Sequence, residues 1–231
     1  MRGRPVIGWL QQIAEILRPG GVLSLIVPDK RYCFDVRRAT TTLAQLVDAE
    51  LRGIEVPTSQ QIFDHESLFV GSVETEQLWA GVDEKALVRT DVLDPLRFAW
   101  DRCREQLSSG AYYDVHASTF TPESFIDLIE GIGALELTDF RLAALHPTPT
   151  GSFEFYVTLE KMGSEDAVLR RQRQCLAVAA AREQLRLSDE KPPGEPMLVS
   201  DAERRLIERK RAVLGLVRGR VRMAMSACRH R

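Results

Sequence analysis

The chain has 231 residues, 44% of them hydrophobic, and a formal net charge of −2, enough apolar content for a packed core in one large or two small domains. No apolar run approaches membrane-spanning length, and Cys33, Cys103, Cys175 and Cys228 lie far apart, with no CxxC pair and no Cys-His spacing that suits zinc. Residues 1–162 carry 15 Lys/Arg against 24 Asp/Glu, a net of −9, and residues 163–231 carry 16 against 9, a net of +7. This is a mildly acidic body with a basic tail. The start, MRGRPVIGWLQQ, has no signal-peptide apolar region, and a reducing cytoplasm is the expected compartment.

Val6 to Leu17 predicts an amphipathic helix, with Val6, Trp9, Leu10, Ile13, Ile16 and Leu17 on one face and Pro5 suited to the first turn. Pro19-Gly20-Gly21 breaks it. Val22 to Val27 is a continuous apolar run, which predicts a strand buried on both faces within a parallel sheet. Pro28 ends that strand and places Asp29 at its carboxyl end, the side of an open α/β sheet where ligands bind. A buried parallel strand needs neighbours. Only five residues precede the first helix, so the chain reads as beginning in the middle of a domain.

Residues 30–113 predict a helical, mostly polar insert. Its helix candidates are Thr41 to Leu51, Ser59 to Val70, Glu74 to Ala80 and Leu93 to Leu107. Trp9 and Trp100 fall at helical spacing and read as core; Trp79 reads as lining the insert. Thr121-Pro122-Glu123-Ser124 opens a clear helix, with Thr121 as cap and Pro122 in the first turn. Phe125, Leu128, Ile129 and Ile132 form its apolar face. Glu136 to Leu145 and Phe153 to Glu160 then predict an antiparallel hairpin; in the second strand Phe153, Phe155, Val157 and Leu159 share a face. Glu165 to Leu187 is a charged helix, 191–196 a proline-rich linker, and Asp201 to about Ala227 a second, basic helix.

The order of segments resembles the carboxyl-terminal half of class I S-adenosylmethionine-dependent methyltransferases. Three segments carry the resemblance: GWLQQIAEILRPGGVLSLIVPD at 8–29, DVHASTFTPESFIDLIE at 114–130, and the hairpin at 136–160. In that family a helix runs into a Lys/Arg-Pro-Gly-Gly turn and the fifth strand, and a later helix and a reversed seventh strand close the sheet. The resemblance implies a partial Rossmann-like α/β sheet, made of one buried parallel strand and an antiparallel hairpin. It divides the chain into a methyltransferase-like body at 1–162 and a charged helical tail at 163–231. The implied reaction is methyl transfer from S-adenosylmethionine to an oxygen, nitrogen or carbon nucleophile of a small-molecule or glycan acceptor.

The family's cofactor-binding glycine-rich loop and acidic strand end have no counterpart in these residues. The expectation is therefore a truncated chain, a misplaced start or a remnant gene, impaired in cofactor binding. Gly20 and Gly21 follow a helix and precede a strand, the reverse of a phosphate-binding loop, and belong to the turn.

Asp29 and His116 are the candidate catalytic residues. Asp29 stands at the carboxyl end of the strand, where a cap for the following segment is an equal reading, and His116 either takes a proton from an attacking hydroxyl or amine or is a hydrogen-bonded structural histidine. Lys30, Tyr32 and His65 are candidate acceptor-binding residues, with a structural histidine the stronger reading for His65. A different class of function is a non-catalytic interaction protein, using an exposed edge at strand 22–27 or the basic tail. The tail helix at 204–222 has an apolar stripe of Leu206, Val213, Val217 and Val221; nucleic acid is not its expected partner.

Overall fold

The computed structural model describes residues 5–84, 87–164 and 166–189. The predicted linker at 191–196 and basic helix from Asp201 lie outside them. The described chain is a mixed α/β fold of seven α-helices and one three-stranded antiparallel sheet.

Helix α1 spans Val6–Ile16 and strand β1 spans Val22–Pro28. The turn between them is closed by Gly21 N–H donating to the Arg18 carbonyl at 2.8 Å. Pro19 takes its first central position and Gly20, with φ of +77°, its second, the arrangement a type II turn requires. A side chain at position 21 would press on the Arg18 carbonyl at 2.8 Å, so both glycines answer to the turn itself. Lys161 fixes the other side of this corner. Its Nζ donates to the Ala14 and Leu17 carbonyls at 2.5 and 2.8 Å, placing a cation on the carboxyl end of α1.

The insert holds α2 (Leu43–Leu51), α3 (Ser59–Leu68), α4 (Thr75–Trp79) and α5 (Pro95–Ser109). Helices α2, α3 and α5 begin where the sequence offers a cap. Thr42 with Gln45 and Thr58 with Gln61 form reciprocal capping boxes, and Asp94 precedes Pro95. Helix α6 (Pro122–Ala134) starts on the Thr121–Ser124 capping box, as expected. Strands β2 (Phe140–His146) and β3 (Glu154–Lys161) form the predicted hairpin. Helix α7 spans Ala167–Asp189.

The strand order is β1-β3-β2, every ladder antiparallel, with Leu25 opposite Val157 and Leu145 also opposite Val157. Strand β1 therefore differs from its expectation. Its ladder runs antiparallel to β3, and the one parallel pairing at its end is the isolated Asp29–Phe120 bridge. It is also buried on one face only. Leu23, Leu25 and Val27 join the core beneath α1, α6 and α7, while Val22, Ser24 and Pro28 are exposed. Ser24 and its cross-strand partner Thr158 make the second face polar, as antiparallel sheets allow.

Helix α7 belongs to the body, so the expected boundary at 162 is too early. Val178, Ala181 and Leu185 are buried in the main core, and the buried Gln174 amide accepts from Leu142 N–H at 3.0 Å and donates to the Ile129 carbonyl at 3.3 Å. The expectation of Trp9 and Trp100 as core is also corrected: both are exposed. The buried rows on their helices are Ile7, Leu10 and Ala14, and Ala99 and Cys103. No described helix is long and apolar enough to cross a membrane.

Candidate functional site

The carboxyl end of β1 is where the sheet, the insert and the 114–120 segment meet. Backbone bonds fix it from two sides: Asp29 N–H donates to the Phe153 carbonyl at 2.7 Å, and Lys30 N–H to the Phe120 carbonyl at 2.8 Å. A 3-10 turn, Lys30–Tyr32, follows.

Asp29 sits at this edge as expected, but its carboxylate is closed off. It is fully buried and caps the 3-10 turn by accepting from Arg31 N–H at 3.0 Å. Arg31 grips both oxygens through Nε and Nη2, and Thr148 Oγ1 donates to Oδ2 at 2.7 Å. With every oxygen engaged, Asp29 is an anchor between β1 and the 146–153 loop. Tyr32 lies flat on Trp79, ring centres 3.8 Å apart, and Trp79 Nε1 donates to the Ser152 carbonyl at 2.8 Å. That stack pins α4 to the hairpin loop. Burial pushes the neighbouring Cys33 thiol up to about 12, so it is not a nucleophile near neutral pH.

The chemistry-bearing group is centred on a residue the sequence reading passed over, Asp35. It is buried, and its Oδ2 lies 2.6 Å from His116 Nδ1. Its Oδ1 accepts from Arg38 Nη1 at 2.9 Å. Arg38, also buried, further donates through Nε to Asp64 at 2.6 Å and through Nη1 to the His116 carbonyl at 2.7 Å. Burial alone would push the Asp35 carboxyl up. The hydrogen bonds from His116 and Arg38, with the charge of Arg38, outweigh it and hold the group below the usual carboxylate range. A carboxylate only accepts, so Nδ1 of His116 carries a hydrogen, and in the neutral ring the lone pair is then on Nε2. The His116 side chain is 43% exposed. The result is an oriented base: one ring nitrogen held by a buried carboxylate, the other available to a ligand.

His116 and Asp35 border a pocket of about 220 Å³. Lys30, Ser118 and Thr119 are its other polar contributors, while Trp9, Leu25, Pro28 and Phe120 supply apolar wall. The structure thus brings together Lys30, Asp35 and His116, and places Asp29 and Tyr32 in supporting contacts.

His65 is in the same cluster but behind it. Its ring centre is 5.9 Å from that of His116, its Nδ1 is 3.9 Å from Asp35 Oδ1, and Phe34 and Phe69 pack around it. The buried Nδ1 has no hydrogen-bond partner, so the ring is held by its aromatic neighbours and not by the hydrogen bond expected of a structural histidine. Burial, then the charge of Arg38, lowers His65 below its ordinary value of 6.5, while Asp35 and Glu66 pull the other way and His116 adds to the lowering. The unfolded chain therefore binds the His65 proton first. The stability this contributes is complete above pH 6.5 and is lost as pH falls through the lower folded value. His65→Phe should flatten that loss, so urea unfolding of wild type and variant should diverge between pH 7.5 and 5.5. Parallel curves would reject a neutral, buried His65.

Among the described residues no group of three His, Cys, Asp or Glu could hold a metal ion. No protein-family model, curated protein or solved structure matches the chain.

Proposed function

We propose that the body is the acceptor-side half of a methyltransferase-like fold, acting with S-adenosylmethionine on a small-molecule or glycan acceptor. The observation that carries this reading is the insertion of β3 between β1 and β2. The resemblance calls for a reversed last strand lying beside the strand that follows the Arg-Pro-Gly-Gly turn. Strand β3 meets that requirement, pairing antiparallel with β1 along its whole length. The Asp35–His116 pair supports the reading from the chemical side. It stands at the carboxyl end of β1, where Nε2 can take the proton of an acceptor hydroxyl or amine as that atom becomes a nucleophile. Lys30 on the pocket rim favours an acceptor that is anionic or becomes so.

The described residues do not fit the cofactor. They hold no glycine-rich strand–turn–helix and no acidic strand end for its ribose. Gly20 faces open space and Gly21 packs on Arg18 and Leu17 of its own turn. The cofactor-holding part of such a site would have to be supplied by other residues, and the role assigned to these is acceptor binding and proton removal.

Calorimetry with S-adenosylmethionine tests the reading on this chain and on one extended upstream in its reading frame. Binding by the extended chain alone is the expected result. No binding by either chain would remove the methyltransferase reading and leave an interaction protein, which the open edge of β1 favours.

A further inference from the structure

Strand β3 pairs with one edge of β1; among the described residues the other edge has no strand. Asp29 N–H donates to Phe153 and Gly21 accepts from Lys161, so odd-numbered positions of β1 face β3. The N–H and C=O groups of Val22, Ser24 and Ile26 therefore point outward. Pro28, the next outward position, has no N–H, and beyond it Lys30 N–H is taken by Phe120. The open edge is short and centred on Ser24.

The helix above it is unfinished in the same direction. Beside its buried row, α1 carries Val6, Trp9, Ile13 and Ile16, spaced three, four and three residues apart; Val6 and Ile13 pack partly against the core, and Trp9 and Ile16 stay open. Trp9 is 38% and Ile16 78% exposed, and Val22, at the start of the edge, is 56% exposed. Glu15 is the only charged residue in α1. One wall of the pocket is formed by Val6, Trp9 and Leu10 on the helix and Leu25 to Pro28 on the strand, so the start of the helix row and the end of the edge adjoin there.

We propose that this surface is the interface of a twofold-symmetric homodimer. Two β1 strands pair antiparallel about Ser24, and the two α1 rows pack on each other above the shared sheet. The occupant is a second copy because the surface is self-complementary. About Ser24, the N–H of Val22 meets the C=O of Ile26 in the partner and the reverse, so every outward backbone group is satisfied. The near-absence of charge on the helix row leaves no repulsion when it meets itself, and low charge marks interface cores. The register also ends where it must. Pro28 lies opposite the partner's Gly20, where the partner chain has already turned toward its α1. A longer foreign strand running past Pro28 would meet Phe120. A standard interface covers roughly 800 Å² per partner; three strand residues alone fall short, and the exposed Trp9 and Ile16 side chains of the helix row add to them, leaving the His116 end of the pocket open.

Sedimentation velocity on the whole chain should give a dimer of the 26.1 kDa protomer. Ile16→Glu, at an exposed position, should weaken the dimer roughly tenfold or more with an unchanged circular dichroism spectrum. Ser24→Pro should do the same, because β3 does not use the Ser24 N–H. In a Cys175→Ser, Cys228→Ser background, Ser24→Cys should oxidise to a covalent dimer. Hydrogen-bonded antiparallel partners lie about 5.5 Å apart at Cα, inside the range a disulfide spans. A monomer at tens of micromolar would overturn the proposal. So would open-ended aggregates, uptake of an unrelated extended peptide in place of a second copy, or a dimer indifferent to both Ile16→Glu and Ser24→Pro.

Discussion

Arg38→Ala should lower the free energy of unfolding by about 3–5 kcal/mol, the cost of stripping one partner from a buried ion pair. Only 2% of the Arg38 side chain is exposed. Its three bonds go to three places: Asp35 in its own loop, Asp64 on α3, and the main chain of His116. Alanine would leave the Asp35 carboxylate buried with His116 as its remaining close partner, and would cut the insert loose from the 114–120 segment. Urea unfolding at pH 7 is the measurement. Arg38→Lys should recover part of the loss, because an ammonium keeps the charge but lacks the fork that reaches Asp35 and Asp64 together. A loss below about 1 kcal/mol would mean that the cluster is solvated and contributes as little as a surface pair.

The same substitution has a signature in pH. The folded Asp35 carboxyl lies below its ordinary value of 3.8, so the stability it contributes is present above 3.8 and is lost as pH falls through the folded value. Without Arg38 one of the two groups lowering that value is gone, and acid unfolding should begin at higher pH. His65 should respond in the opposite compartment of the curve. The charge of Arg38 is the second cause of its lowering, so in Arg38→Ala the His65 titration should move toward 6.5 and its share of the acid loss should shrink.

The parts of this fold that were legible in the sequence are those whose cause is local. The Arg-Pro-Gly-Gly turn needs a proline and a positive φ at adjacent positions, and the chain writes both. The Thr121 cap and the alternation of Phe155, Val157 and Leu159 are equally local. What stayed hidden depended on distant partners. Asp35 and His116 are 81 positions apart, and the segment Asp35-Val36-Arg37-Arg38 reads as a solvated charge run unless its burial is known. The one available hint was an acid and a base three residues apart around a buried valine. Asp29 went the other way: an arginine two residues downstream was enough to close its carboxylate, and a strand-end aspartate looks the same on paper whether open or closed. Strand β1 reads as buried on both faces because its apolar run is continuous, yet Ser24 at its centre marks the face that the fold leaves uncovered. On α7, the row Gln174, Val178, Ala181 and Leu185 is diluted by a polar head and surrounded by arginines, so a body helix passed for tail.

His116→Gln should reduce methyl transfer by roughly 10²–10⁴-fold in a chain competent to bind the cofactor, the usual contribution of a positioned base. The loss should fall on kcat, with KM little changed, because the ring contributes one nitrogen to a pocket whose other walls remain in place. Glutamine can still hydrogen-bond Asp35 but cannot accept a proton near neutral pH, which separates the chemical role from the structural one. Asp35→Asn should also slow the reaction. An amide next to Nδ1 no longer dictates the tautomer, and the imidazole loses the carboxylate that stabilises its protonated form. A readout without turnover is available in the chain as it stands. Nitrogen NMR of His116 at pH 8 should show the hydrogen on Nδ1 in the wild type and a mixture in Asp35→Asn. A hydrogen on Nε2 in the wild type would leave the open nitrogen without a lone pair, and His116 would then be a donor to the ligand and no base.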